Sequence, residues 1–136
     1  MTDDPPRPEL PAPDLRVQVQ VQLRPEPTRA GGQLYQYVIR IENHSDESWQ
    51  LMAREWTITD ATGQVTQVQG EGVVGQTPII APGGVFVYDS FVTLQRSPGT
   101  MRGAYLLRDA WGATTRLAIP EFRLGSGPDS EDRVLN

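Results

Sequence analysis

Cysteine is absent from the 136 residues, and so is lysine: all 12 basic residues are arginine. Without thiols there can be no disulfide staple, thiolate metal site or cysteine nucleophile, and the composition suits a reducing compartment. Histidine occurs once, at His44, and a lone imidazole without cysteine assembles no zinc-type ligand set. No apolar run reaches the roughly 20 residues that a membrane-spanning helix needs. The start, Met1-Thr2-Asp3-Asp4-Pro5-Pro6, lacks the basic and apolar regions of a secretory signal. These absences lead to the expectation of a cytoplasmic protein that does not insert into membranes. Positive charge is also short: the net charge of −5 argues against general affinity for nucleic acid or anionic lipid, which needs a basic face.

What is present is a chain long enough for one domain with a single core. Residues 1–14 carry five prolines among acids and read as an extended, solvated arm. Residues 125–136 read as a disordered acidic tail. Between them, residues 15–124 alternate with period two. Leu15, Val17, Val19, Val21 and Leu23 face one way and Arg16, Gln18, Gln20, Gln22 and Arg24 the other. Tyr35, Tyr37, Ile39 and Ile41 repeat the pattern. In the stretch from Trp49 to Thr59, the same reading puts Met52, Arg54, Trp56 and Ile58 on one face. Asp60-Ala61-Thr62-Gly63 reads as a turn with glycine supplying positive φ, and Pro120 marks an edge strand or a bulge. Seven to eight short strands, turns every 8–12 residues and no capped helical stripe predict an all-β, two-sheet antiparallel sandwich of immunoglobulin-like size, with a small barrel as the alternative.

Three places invite a functional reading. Gly70-Glu71-Gly72-Val73-Val74-Gly75 fits the pattern G-x-G-x-x-G, which cradles a pyrophosphate when a helix starts at the third glycine. Here Pro78 and β-branched neighbours disfavour a helix and no lysine follows, so the glycines are expected to serve positive φ or close backbone approach, with anion binding by bare loop amides as the second reading. Arg54 and Trp56 share a face. If that face is inward, Arg54 needs a carboxylate or carbonyls; if not, it sits beside an indole ready for a ligand. His44, in Asn43-His44-Ser45-Asp46, reads as part of a solvated turn. The acids of the two tails cannot hold the fixed spacing that paired-carboxylate hydrolysis requires. No catalytic residue, metal ligand or cofactor site is named on these grounds.

Several runs in order resemble the ApaG family: Ile39-Arg40-Ile41-Glu42-Asn43-His44, Gln50 to Asp60, Val68 to Pro78, Tyr88-Asp89-Ser90, Gly99 to Tyr105 and Ile119 to Leu124. Glu55 departs from the aromatic or histidine that many relatives place before the tryptophan. The resemblance implies a fibronectin type III-like or immunoglobulin-like sandwich, a protein-interaction module, and a family link to cobalt resistance and magnesium efflux without an assigned activity. Protein binding is the expected function, through Gly70, Glu71, Gly72, Gly75, Arg54 and Trp56, and a homodimer through a sheet face or edge is compatible with it. The second reading is a small anion or nucleotide phosphate held at the Gly70–Gly75 loop.

Overall fold

The computed structural model describes residues 12–24, 32–125 and 134–135, so the expected proline-rich arm and acidic tail lie almost wholly outside the described residues. Those residues form nine β-strands and no helix: β1 (Leu15–Arg24), β2 (Gln33–Asn43), β3 (Trp49–Thr59), β4 (Val65–Glu71), β5 (Ile79–Ile80), β6 (Val85–Leu94), β7 (Gly99–Asp109), β8 (Thr114–Leu124) and β9 (Val134–Leu135). All pairings are antiparallel, in two sheets. The front sheet runs β6-β2-β1-β9; the back sheet runs β4-β3-β7-β8, with the short β5 paired to the start of β3. This is the expected β-sandwich.

Alternation makes each sheet two-faced, and the two apolar faces form the core. Tyr35, Tyr37, Ile39 and Ile41 of β2 meet Leu51, Trp56, Met101, Tyr105, Leu107 and Phe122 of the back sheet, all buried. Trp56 stands at the centre, with ring centroids 5.5 Å from Tyr37, 5.9 Å from Phe122 and 6.4 Å from Tyr105. Burying one such large apolar side chain contributes about 1.5–3 kcal/mol. An exposed ion pair, such as Arg116 with Glu55 at 2.7 Å, contributes roughly 0–1 kcal/mol. The core decides the fold.

Two bulges modify the alternation. In β3, Leu51 lies opposite Leu107 but Ala53 lies opposite Leu106, so Met52 is an extra residue on that strand. The face therefore switches: Trp49 and Leu51 point inward before the bulge, Trp56 after it. A single unbroken phase across 49–59 is thus corrected by one inserted residue. In β8, Met101 pairs with Phe122 and Gly103 with Ile119, which leaves one extra residue beside Pro120. Pro120 sits at a bulge and on an edge strand at once.

The sheets differ in reach. β1 packs over β8, Tyr37 of β2 over Trp56, and Tyr88 of β6 against Tyr105 of β7. β4 lies beyond this overlap. Val68, which shares the core-facing side of the back sheet with Trp56, is still 36% exposed, and apart from Gly70 every residue of β4 is exposed. Among the described residues, the front sheet ends one strand short of the back sheet.

Candidate functional site

The glycine run folds as a small hairpin rather than a helix start. Gly70 and Glu71 finish β4, and Val73 and Gln76 then exchange two backbone hydrogen bonds of 2.8 Å each. Val74 and Gly75 between them both have positive φ, 43° and 79°, the signature of a type I′ turn. Val73 is fully buried and anchors the loop. The amide of Gly72 donates to the Met52 carbonyl at 2.8 Å, and that of Leu51 to the Pro78 carbonyl at 2.9 Å, so the loop is sewn along β3. The amides of Gly72, Val73 and Gln76 are therefore committed to backbone acceptors, and no helix dipole aims at the loop.

Arg54 explains the first glycine. Its Nη1 donates to the carbonyls of Glu71 and Gly72, each at 3.0 Å. A Cβ at position 70 would stand 2.6 Å from that nitrogen, so the guanidinium fills the space a side chain would occupy. Gly72 has a different reason: its φ is +62° and a Cβ would lie 2.2 Å from the Gln76 carbonyl oxygen. Arg54 is thus the carbonyl-bound cation that the inward alternative anticipated. Glu71 contributes its carbonyl, and its side chain is exposed.

Trp56 is placed differently from a partner-contacting residue. It is 4% exposed and surrounded by Tyr37, Tyr105 and Phe122, so its ring is core and reaches no surface. The exposed indole belongs to Trp111, 83% exposed in the β7–β8 turn, where the Asp109 carboxylate accepts from the amides of Trp111 and Ala113.

Three tyrosines of the interior stand near Arg54. The hydroxyls of Tyr88 and Tyr105 hydrogen bond to each other. Burial is the largest cause raising both above the ordinary tyrosine value of 10.0, and it also raises Tyr37, which bonds Ser90. All three lie within electrostatic reach of Arg54.

The turn after β2 is built by Asn43, which is buried. Its Nδ2 donates to the carbonyls of Glu47 and Ile80, both at 2.8 Å, and its Oδ1 accepts from Ser45 N and Oγ. His44 bonds Glu42 at 2.8 Å on the surface. No group of three or more histidine and acidic side chains capable of holding a metal occurs among the described residues. A depression of about 280 Å³ opens on the outer face of the back sheet, where Ala53 and Ala104 leave room and Leu106 and Arg116 form the rim.

The strand β6 supplies a feature that alternation did not disclose. It is ten residues long, it ends the front sheet, and its outward row Val85, Val87 and Phe91 is exposed, Phe91 to 53%.

Comparisons with known proteins agree with this architecture. The model of the ApaG domain matches residues 24–109. Protein ApaG of Deinococcus radiodurans is 49% identical over 125 residues, covering 92% of this chain and 98% of that one. Protein ApaG of Vibrio vulnificus is 42% identical over 116 residues, covering 80% and 90%. Among solved structures, one described as an ApaA protein from Bordetella pertussis superposes with a TM-score of 0.79 at 36% identity, covering 85% of this chain and 96% of that one. The C-terminal domain of wzt, 10% identical with a TM-score of 0.57 and covering 92% of this chain and 81% of that one, shares the fold alone. The chain belongs to the ApaG family.

Proposed function

We propose that this ApaG chain is a non-catalytic protein-binding module of the cytoplasm that takes up an extended segment of a partner along the edge of β6 that no described strand pairs with. The observation that supports this most is the character of that edge. Sheet edges with unpaired amides and carbonyls invite pairing with another chain, and proteins usually blunt them with bulges, proline, charge or shortness. β8 has Pro120, a bulge and the charges Arg116, Glu121 and Arg123. β4 is seven residues long and runs into the glycine hairpin. β6 has no proline, no bulge and one charge, Asp89, in ten residues. Strand addition there would give a partner main-chain hydrogen bonds and an apolar row to pack on.

Anion binding by the glycine loop is the weaker reading, because Gly72, Val73 and Gln76 already use their amides. On the preferred reading, the family's link to cobalt resistance and magnesium efflux runs through the partner protein.

The test places a photo-reactive amino acid at Phe91 on β6, or at Arg123 on β8, in cells that carry the protein. A discrete adduct from position 91 and none from 123 is the expected result. Equal labelling from both positions, or labelling from 123 alone, would remove β6 as the binding edge.

A further inference from the structure

Arg54 has more donors than the protein uses. Its Nη1 is committed to two carbonyls. Among the described residues no carboxylate pairs with it, and its Nε–H and Nη2–H groups have no hydrogen-bond acceptor. The side of a guanidinium formed by Nε and Nη2 is the planar fork that takes a carboxylate through two parallel bonds. The neighbouring hydroxyls of Tyr88 and Tyr105 share one hydrogen bond. Two hydroxyls bring two protons, so that bond leaves one for a further acceptor. Arg54 is half-buried and no buried side-chain nitrogen among the described residues lacks a partner, so Nε and Nη2 face solvent and are open to an anion from outside.

Its location says how the anion arrives. Arg54 sits on the core-facing side of the back sheet, in register with Gly70 of β4 on one side and Tyr105 of β7 on the other. β4 is the strand that the front sheet fails to cover. Tyr88 of β6 meets Tyr105 of β7, so a strand laid beside β6 extends the front sheet toward β3 and β4, and every second side chain of such a strand points toward the face that carries Arg54, Gly70 and Val68. Gly70 carries no side chain to screen the guanidinium from that direction.

We propose that the segment bound along β6 carries an aspartate or glutamate at the inward position beside Tyr88, its carboxylate bridging Nε and Nη2 of Arg54, with apolar residues two positions to either side against Val68 and Phe86. This rests on strand addition at β6 and names the partner's chemistry: an extended, alternating segment with one buried acid.

The test selects ten-residue peptides from a random displayed library on the full chain and asks where they bind and what they share. Peptides labelled by a photo-reactive residue at Phe91, with an acid at one fixed position, are expected. Changing that acid from Glu to Gln in the peptide should weaken binding at least tenfold to the wild-type chain and less than twofold to Arg54→Gln. The peptide change alone carries the comparison should Arg54→Gln fail to fold, and Arg54→Lys, which keeps the charge but not the fork, should lie between. Peptides that label at Phe91 but show no acidic preference overturn the Arg54 assignment and leave strand addition standing. Peptides that label only elsewhere, or a library without binders, overturn both. Sedimentation of the protein alone showing a dimer cross-linked through Phe91 makes a second copy the occupant and overturns the acidic-segment proposal. So does peptide binding that appears only after residues 1–11 are removed, which makes the chain's own arm the occupant.

Discussion

Asn43 joins three segments with one side chain. It holds the carbonyls of Glu47 and Ile80 and receives Ser45, at 1% exposure. Asn43→Ala leaves the buried Ile80 carbonyl without its partner, at a cost of about 1–3 kcal/mol, and chemical denaturation should show a loss in that range. The glycines separate by mechanism. Gly72→Ala meets both a positive φ and the Gln76 carbonyl, so it should destabilise by more than about 1 kcal/mol. Gly75→Ala has φ +79° and open space around it, so only the backbone strain of about 1–2 kcal/mol applies. Denaturation midpoints that rank Gly75→Ala as the more damaging would contradict this reading. Titration also acts at this scale. Burial raises Tyr37 and holds Tyr88 and Tyr105 neutral far above the value near pH 10.0 at which the unfolded chain ionises them. The unfolded state therefore releases protons first as pH rises, so stability is complete below that value and falls above it. Tyrosinate absorbance from Tyr88 and Tyr105 should appear only together with unfolding. Glu42 has the opposite sense: His44 first and then Arg40 lower its pKa below 4.5, so its contribution is present above that pH and lost as pH falls. Both of its partners are surface side chains, Arg40 at 45% and His44 at 40% exposure, which makes that contribution minor beside the tyrosines.

At the scale of the element, most strands were legible from alternation alone. β1 and β8 run over the residues that the pattern and Pro120 indicate, and the Asp60–Gly63 turn closes with Gly63 at φ +88°. The phase of β3 was not legible. One inserted residue flips a face, and no residue type marks Met52 as the insertion. Deleting Met52 should force either Trp49 and Leu51 or Trp56 out of the core, and loss of a cooperative thermal transition is the expected result. Nor could the sequence tell an edge strand from a central one. β6 and β2 share the same alternation, and only the topology makes β6 the last strand of its sheet. Phe91→Lys changes an outward side chain of that edge and should shift stability by less than about 0.5 kcal/mol, while giving the strand the lysine that edges use against pairing. The same limit applies to tryptophan. Trp56 and Trp111 look alike in sequence, yet one is the centre of the core and the other stands on a turn.

The whole molecule is a sandwich of unequal sheets. The uneven ends explain two features together: the exposure of β4 and a guanidinium with unused donors beside it. The sequence singled out Arg54 and the glycine run separately; the structure brings them together through the Glu71 and Gly72 carbonyls and the space at Gly70, a contact that no residue type marks in the sequence. The sequence also could not show that Trp56 turns away from this place, or that the front sheet stops at β6, since both depend on how distant strands align. In this account the glycine hairpin is scaffold and the β6 edge is the working surface. Residue-resolved hydrogen exchange, on the free chain and on the chain with its captured partner, tests that most directly. Alternate amides between Val85 and Leu94 should exchange quickly in the free protein and slow markedly in the complex. If those amides stay fast in the complex while protection appears at residues 70–76 instead, the working surface is the hairpin and the account is wrong.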